Sequence, residues 1–354
     1  MSVISLHSLT EDSFADARSE RVLVTGASGM LGREVALKLL REGFEVRVFQ
    51  RSDAGLAALL PKSVRERLSQ VRGSVSDFHA VDQAMADVDG VIHIAAKVSV
   101  SGQWDQYLEA NVIGTRTLLE TAKNHGVEKF VYISSPSVAH AGSSLVGEGN
   151  TPADPDHARG NYARSKAYAE KLALEADADD FRVGVLRPHL IWGPGDTQLV
   201  ERLIERSAAG RLPLLSGGTA LIDTLYIDNA VDAVLAAYQR LEHIHGQPLV
   251  VTNGQPRTVA EILAGFTHAA GVPAPQRSVP AKAAYAAGWV IEKVWEVKPG
   301  EDEPPMTAFL AEQLSTAHWF DQRTTRELLQ WDPAVSIEEG YERLRSFYRG
   351  RYSA

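Results

Sequence analysis

The sequence predicts a doubly wound α/β fold of the Rossmann type: a parallel sheet covered by helices on both faces, with a smaller lobe toward its C-terminal end. Three observations carry that prediction. Short apolar runs alternate with helical patterns up to about residue 190. A glycine-rich turn, Gly26-Ala27-Ser28-Gly29-Met30-Leu31-Gly32, joins the first apolar run to the first helical one. Beyond Pro188 the alternation loosens, while the chain runs on to residue 354.

Composition narrows the function. A chain of 354 residues suits one large domain, or a domain with a lobe inserted and appended, and can bury a substantial core. The formal charge of −9 gives no electrostatic case for nucleic acid. The absence of cysteine excludes disulfides, thiolate catalysis and Cys-ligated zinc. No apolar run is long enough to span a bilayer. Residues 1–20, with Glu11, Asp12, Asp16 and Glu20, lack a basic n-region and a long apolar stretch. They read as a flexible tail rather than a signal peptide, with the cytoplasm as the default location.

The elements follow in order. Val22–Val24 reads as a buried strand. Leu31, Val35 and Leu39 recur at i, i+4 and i+8, with Ala36 and Leu40 beside them, so the next segment is an amphipathic helix closed by Gly43. Glu45–Phe49 is the second strand, which completes a βαβ unit of the dinucleotide-binding kind. In that unit Gly26 permits the tight turn, Gly29 lets backbone approach a pyrophosphate, and Gly32 lets the helix lie close on the sheet. The helix N-terminus then presents free N–H groups to phosphates. Further strands are expected near Val71 and at Val91–Ile94, Phe130–Ser134, Val183–Leu186 and Leu249–Thr252. Pro136 to Gly160 shows no periodicity and reads as a long functional loop, followed by a helix from about Tyr162 to Ala176.

Later helices are expected at about Thr197–Ala209, from Asp228-Asn229, and at about Val259–Ala270, the last opened by a Thr258/Glu261 capping box. Glu301-Asp302-Glu303-Pro304-Pro305 reads as a surface linker. These elements divide the chain into a nucleotide-binding domain over 21–190, with 225–255 returning to it. A substrate-binding lobe is left over 191–224 and 256–354, closing over the carboxyl ends of the strands.

Tyr162-Ala163-Arg164-Ser165-Lys166 is the most informative stretch after the glycine turn. On a helix, i and i+4 share a face, so the Tyr162 hydroxyl and the Lys166 ammonium can converge. A phenol has a reference pKa of about 10, and a neighbouring ammonium favours its ionised form. Such a pair can exchange a proton as an alcohol and a ketone interconvert. The bland alternative is a solvated helix face. Ile133-Ser134-Ser135 ends the fifth strand on the same rim, where a hydroxyl can hold a substrate oxygen; the bland alternative there is a pair of strand-end serines.

With these motifs assembled, the chain resembles the extended short-chain dehydrogenase/reductases over nearly its whole length after residue 20. The motifs that carry the resemblance are the residues 25–32 turn, His93-Ile94-Ala95-Ala96, Asn111-Val112-Ile113-Gly114-Thr115, Ile133-Ser134-Ser135, Tyr162-x-x-x-Lys166 and Leu186-Arg187-Pro188. The resemblance implies Ser135, Tyr162 and Lys166 as the catalytic triad, with Asn111 in support. Ser135 is preferred to Ser134 because Val138 then matches the family's following valine. It implies cofactor contacts from Gly26, Ser28, Gly29, Met30, Leu31, Gly32, Ala95, Ala96, Tyr162, Lys166 and Pro188, with Lys166 holding the nicotinamide ribose.

Ser135-Pro136-Ser137-Val138-Ala139 and the Phe320-Asp321 region look most like the 3β-hydroxysteroid dehydrogenase-like branch, which includes reductases of 2-alkyl-3-oxoalkanoates. An apolar small-molecule substrate is implied. A homodimer through helices near Asn111–Lys123 and Tyr162–Ala176 is implied by the same resemblance.

Two departures matter. Where NAD enzymes place an acidic residue after the second strand, this chain has Gln50, then Arg51. A guanidinium pairs with a 2′-phosphate, so NADP is preferred to NAD. After the third strand the family's aspartate is replaced by Ser74, and Asp77 reads as a helix cap.

Other candidates are weaker. His93 by itself reads as a satisfied core histidine. His318, Trp319 and Phe320 read as buried in the lobe before they read as pocket lining. Residues 285–295, with Tyr285, Trp289, Ile291 and Trp295, read first as lobe packing, then as a lid, then as a membrane-surface contact. No cluster has metal-ligand spacing. Two rival functions remain: a nucleotide-sugar epimerase or dehydratase, with Arg202, Arg206 and Arg211 on a diphosphate, and an NADP-sensing binding protein.

Overall fold

The computed structural model describes residues 14–99, 102–139, 142, 144–297 and 307–349. Its central sheet has seven strands: β1 (Arg21–Thr25), β2 (Glu45–Gln50), β3 (Leu68–Arg72), β4 (Gly90–His93), β5 (Lys129–Ile133), β6 (Arg182–Pro188) and β7 (Pro248–Val251). All are parallel, in the order β3-β2-β1-β4-β5-β6-β7. β1, β4, β5, β6 and β7 coincide with apolar runs, because a strand buried on both faces needs no polar alternation, whereas β2 alternates and the edge strand β3 mixes Leu68 and Val71 with Ser69, Gln70 and Arg72. In β1, Val22 and Val24 join one core cluster and Leu23 the other, on opposite faces of the sheet. The strand order reverses between β1 and β4, and ligands of open α/β sheets bind at the carboxyl ends beside such a switch.

Helices cover both faces. α1 (Met30–Arg41) is followed by α2 (Phe78–Met85), α3 (Gly114–Asn124), α4 (Gly160–Glu175), α5 (Val200–Ala208) and α6 (Ile227–Gln239). Val35 and Leu39 of α1 share one core with Val234 of α6, while Val81 of α2, Leu118 of α3 and Ala169 of α4 fill the other. The later helices are α7 (Val259–Ala269), α8 (Ala281–Val297), α9 (Ala308–Gln313), α10 (Arg323–Leu329) and α11 (Ile337–Tyr348). α7 opens with the capping box read from Thr258 and Glu261.

Three expectations need correction. Residues 136–160 are not a structureless loop. They hold a short helical turn, Pro136–Ala139, and a strand, Leu145–Glu148, which pairs in parallel with His318–Phe320. That pairing belongs to a second, four-stranded sheet with Leu221–Ile222 and Arg257–Thr258. A four-residue strand whose partner lies far along the chain leaves no local periodicity to read. Second, residues 14–20 are strapped down rather than frayed. Ala15 N donates to Arg41 O at 2.7 Å and Arg18 N to Gly43 O at 2.7 Å. The Glu20 carboxylate accepts from Lys129 Nζ at 2.8 Å and from the Tyr238 hydroxyl at 2.7 Å.

Third, among its described residues α8 leaves several large side chains exposed. Tyr285, Trp289, Val290 and Val294 are exposed, and its inner face is the small Ala284 against Leu215 and Ala311. The Trp295 side chain and the 301–305 linker lie outside the described residues.

The α1–α6 layer also holds a strained carboxylate. Burial raises Glu34 from an ordinary 4.5 to about 7, with Asp228 adding and Arg41 and Arg33 opposing. Its Oε1 has no hydrogen-bond partner. A raised carboxyl pKa means the folded chain resists ionisation, so the group costs stability as pH climbs above 4.5, with the cost complete above about 7. Glu34→Gln is therefore expected to raise the melting temperature more at pH 8 than at pH 5, as read from thermal melts at both.

Candidate active site

The turn after β1 is held by sterics at each glycine. Gly26 has φ of +79°, and a Cβ there would lie 2.9 Å from the Ala95 Cα and N. The turn thus touches the segment after β4, which places Ala95 and the half-buried Ala96 beside it. At Gly32 a Cβ would meet the Gly26 carbonyl oxygen at 2.4 Å, so this glycine lets α1 lie against the turn itself rather than against the sheet. A Cβ on Gly29 would meet only the Gly26 oxygen, at 3.5 Å. Ser28 and Gly29 are exposed, Met30 is half-buried and Leu31 is buried. α1 has no side-chain N-cap and no acidic residue in its first turn. An open backbone cradle with uncapped helix N–H groups fits the pyrophosphate of a dinucleotide.

His93 bolts this region together. Thr25 Oγ1 accepts from Ile94 N and Ala95 N at 3.0 Å each, so its hydroxyl donates to His93 Nδ1 at 2.7 Å. The Thr115 hydroxyl donates to Asn111 O at 2.6 Å and accepts from His93 Nε2 at 3.0 Å. The network assigns a neutral imidazole protonated on Nε2. Burial, helped by the Lys166 charge, lowers its pKa to about 3. His93 is a structural histidine beside the nucleotide cradle.

At the end of β2, Arg51 is exposed and makes no ion pair among the described residues. Gln50 is buried, and neither of its amide atoms has a hydrogen-bond partner. Ser74 is engaged locally with Ser76 Oγ at 2.9 Å, and Asp77 caps α2 by accepting from His79 N and Ala80 N.

The Ser135, Tyr162, Lys166 and Asn111 segments meet at the carboxyl end of β5. Ser135 follows β5, where its Oγ hydrogen-bonds Ser137 Oγ at 3.0 Å, and it lies close enough to the Tyr162 phenol to pull its pKa down. One turn further along α4, Lys166 Nζ donates to Ile133 O at 2.5 Å and sits 4.2 Å from the centre of the Tyr132 ring. Asn111 lies in a π-helical turn, Leu108–Ile113, a distortion that frequently marks functional sites. Its Oδ1 accepts from Lys97 N at 2.7 Å, and its Nδ2 donates to Lys97 O at 3.1 Å and Ser165 Oγ at 2.9 Å. Ser165 in turn donates to Tyr162 O at 2.8 Å. Asn111 therefore braces the backbone that carries Tyr162.

Burial raises the Tyr162 phenol above its ordinary value, with Ser135 pulling it back. The Lys166 ammonium, one turn along the same helix face, is directed at Ile133 O and the Tyr132 ring. Burial brings Lys166 itself down to about 7, against an opposing pull from Glu170. Tyr132, Ser165, Glu170 and Arg187 were missed as site residues. The spacing of Glu170, one further turn along the Tyr162–Lys166 face, was the signal that pointed to it.

The remaining candidates scatter. Pro188 ends β6, and the next residue, His189, is buried, with Nδ1 on Asp223 O at 2.7 Å and its ring 5.3 Å from that of Phe320. His318 and Phe320 are buried, while Trp319 borders an open cavity of about 470 Å³ with Phe320, Arg323 and Arg326. Arg202 and Arg206 are half-buried on α5 and Arg211 is exposed beyond it. Among the described residues no His, Asp and Glu group is arranged to hold a metal, and no helix is long and apolar enough to cross a membrane.

A dinucleotide cradle at the switch point, with a tyrosine–lysine helix face beside a strand-end serine, defines an extended short-chain dehydrogenase/reductase. The chain belongs to the NAD dependent epimerase/dehydratase family, whose model matches residues 22–251. It is 38% identical over 332 residues to a 2-alkyl-3-oxoalkanoate reductase of Stenotrophomonas maltophilia, covering 92% of this chain and 98% of the relative. It is 36% identical to a protein of the same name from Shewanella oneidensis, covering 93% and 87%. A solved UDP-glucuronic acid 4-epimerase from Bacillus cereus, in complex with UDP-glucuronic acid and NAD, shares the fold at a TM-score of 0.73 and 21% identity, covering 94% of this chain and 100% of that one. The chain is an NAD(P)-dependent oxidoreductase.

Proposed function

We propose that the enzyme interconverts a ketone and a secondary alcohol on a bulky apolar substrate of the 2-alkyl-3-oxoalkanoate or 3β-hydroxysteroid type, with NADP preferred to NAD. The observation that carries the reading is the convergence of Ser135, Tyr162 and Lys166 at the carboxyl end of β5, with Lys166 Nζ on Ile133 O and Asn111 bracing the Tyr162 turn through Ser165. It is supported by relatives named as ketone reductases that align over nearly their whole length. The lobe formed by 191–224 and 256–354 is read as the substrate-binding part.

When bound, the nicotinamide supplies or accepts the hydride. In reduction, Ser135 holds the ketone oxygen by a hydrogen bond and Tyr162 delivers the proton that turns it into a hydroxyl. The raised phenol pKa keeps that proton in place at neutral pH. Lys166 supplies positive charge beneath the phenol as it ionises, and Asn111 fixes the helix turn that carries Tyr162. In oxidation the same groups act in reverse.

Consumption of NADPH and NADH by the purified enzyme tests the reading, with a long-chain 2-alkyl-3-oxo acid, a 3-oxosteroid and a UDP-hexose as substrates. Consumption with an apolar ketone is expected. Isomerisation of the UDP-hexose without net consumption would replace the reading with the epimerase one. Tight NADP binding with no turnover of any of the three would favour the binding-protein reading.

NADP preference rests on Arg51, exposed and without an ion pair among the described residues at the end of β2. Arg51→Ala is expected to weaken NADPH binding about 10- to 100-fold, the range of a charge-assisted contact, and to leave NADH binding unchanged. Fluorescence titration with both cofactors checks this, and equal losses for both would refute the role.

A further inference from the structure

We propose that the buried Glu170–Arg187 pair is a positioning device for the proposed reaction: Glu170 keeps Lys166 charged beneath Tyr162, and Arg187 ties the same junction to the loop after β5. The inference rests on the proton-transfer roles given to Tyr162 and Lys166 above.

Tyr162, Lys166 and Glu170 occupy i, i+4 and i+8 on α4, so they form one stripe facing β5 and β6. Glu170 is 0% exposed and Arg187 is 1% exposed. Arg187 grips both carboxylate oxygens, with Nε on Oε2 at 2.9 Å and Nη2 on Oε1. Its remaining nitrogen, Nη1, donates to Thr151 O at 2.6 Å, inside the 136–160 segment that follows Ser135. One side chain on β6 therefore links the catalytic helix to the catalytic loop. A buried ion pair is weak evidence for stability, since well-packed apolar residues often serve as well. Its placement one turn below Lys166 gives it a second use.

The groups facing Lys166 come from three strands and its own helix. β4 brings His93, held neutral by its hydrogen bonds. β5 brings Ile133 O and Tyr132, whose phenol burial keeps protonated. β6 brings Arg187, behind Glu170. α4 brings Tyr162 and Glu170. Among the described residues Glu170 is the carboxylate in this set, and it opposes the burial that discharges Lys166. Its oxygens are filled by Arg187, so it acts on Lys166 through charge and not by taking its protons.

The test is the pH dependence of NADPH binding, read by fluorescence, beside kcat and KM for ketone reduction, in the full-length enzyme. Wild type is expected to lose both as Lys166 discharges. Glu170→Gln is expected to move that limb to lower pH by about one unit or more, and Glu170→Asp to restore most of it. The double variant Glu170→Gln/Arg187→Gln leaves no unpaired charge and guards against misfolding; it is expected to move the limb the same way. A limb that stays put in a folded variant overturns the proposal, whatever happens to the melting temperature. Failure of both variants to fold also overturns it, since the pair is then a folding element. Absence of ketone turnover in wild type would sink the reaction and leave the binding limb to decide the pair.

Discussion

Tyr162→Phe is expected to lower kcat for ketone reduction on the order of 10²- to 10⁴-fold, the usual range for removing a general acid. The ring and its packing stay, and only the hydroxyl is lost. Cofactor affinity should hardly change, because the brace from Asn111 through Ser165 acts on the Tyr162 backbone, not on its hydroxyl. Steady-state kinetics with a fluorescence titration of NADPH separate the two effects. A kcat within a few-fold of wild type would assign the proton to another group. The pH trend is a second check. A phenol raised by burial stays protonated at neutral pH, so reduction there should show no limb from Tyr162 itself.

The second large effect is expected at Gly32→Ala. The added Cβ would sit 2.4 Å from the Gly26 oxygen, 2.7 Å from its carbonyl carbon and 3.0 Å from the Ala27 Cα. All three atoms are backbone, so no side chain can move aside. Either α1 retreats or the turn opens, and both displace the uncapped N–H groups. A loss of about 1–3 kcal/mol in stability, the scale of overpacking, should accompany a loss of NAD(P) affinity of about tenfold or more. Gly29→Ala is the contrasting variant. Its Cβ meets only the Gly26 oxygen, at an ordinary 3.5 Å, so stability should barely change while cofactor affinity falls. Thermal melts and calorimetric titrations of the two variants side by side check both. Equal stability losses would show that the turn tolerates or rejects a methyl group without regard to these contacts.

Much of this was legible from residues close together in the chain. The inner strands of the central sheet are mostly apolar runs, since a parallel sheet is covered on both faces, while the edge strand β3 is half polar. The glycine turn, the Tyr162–Lys166 spacing and the Thr258–Glu261 cap are each set within one or two turns of backbone. The strap formed by residues 14–20 was not legible. Its bonds reach Arg41, Gly43, Lys129 and Tyr238, and nothing in the short acidic segment points to them. The Leu145–Glu148 strand was hidden because its partner is His318–Phe320. The π-helical turn at Asn111 had no signal, since adding one residue to a helical turn leaves the apolar pattern nearly intact.

The sequence by itself determined the sheet and the glycine turn and singled out the residues proposed for proton transfer, because each is written in spacing over a short stretch of chain. Tertiary structure alone decided the charge state those residues hold. Lys166 at about 7, a phenol raised by burial, and a neutral His93 all follow from burial among β4, β5, β6 and α4. Desolvation depends on every element packed around a group, and that packing is not contained in the residues on either side of it.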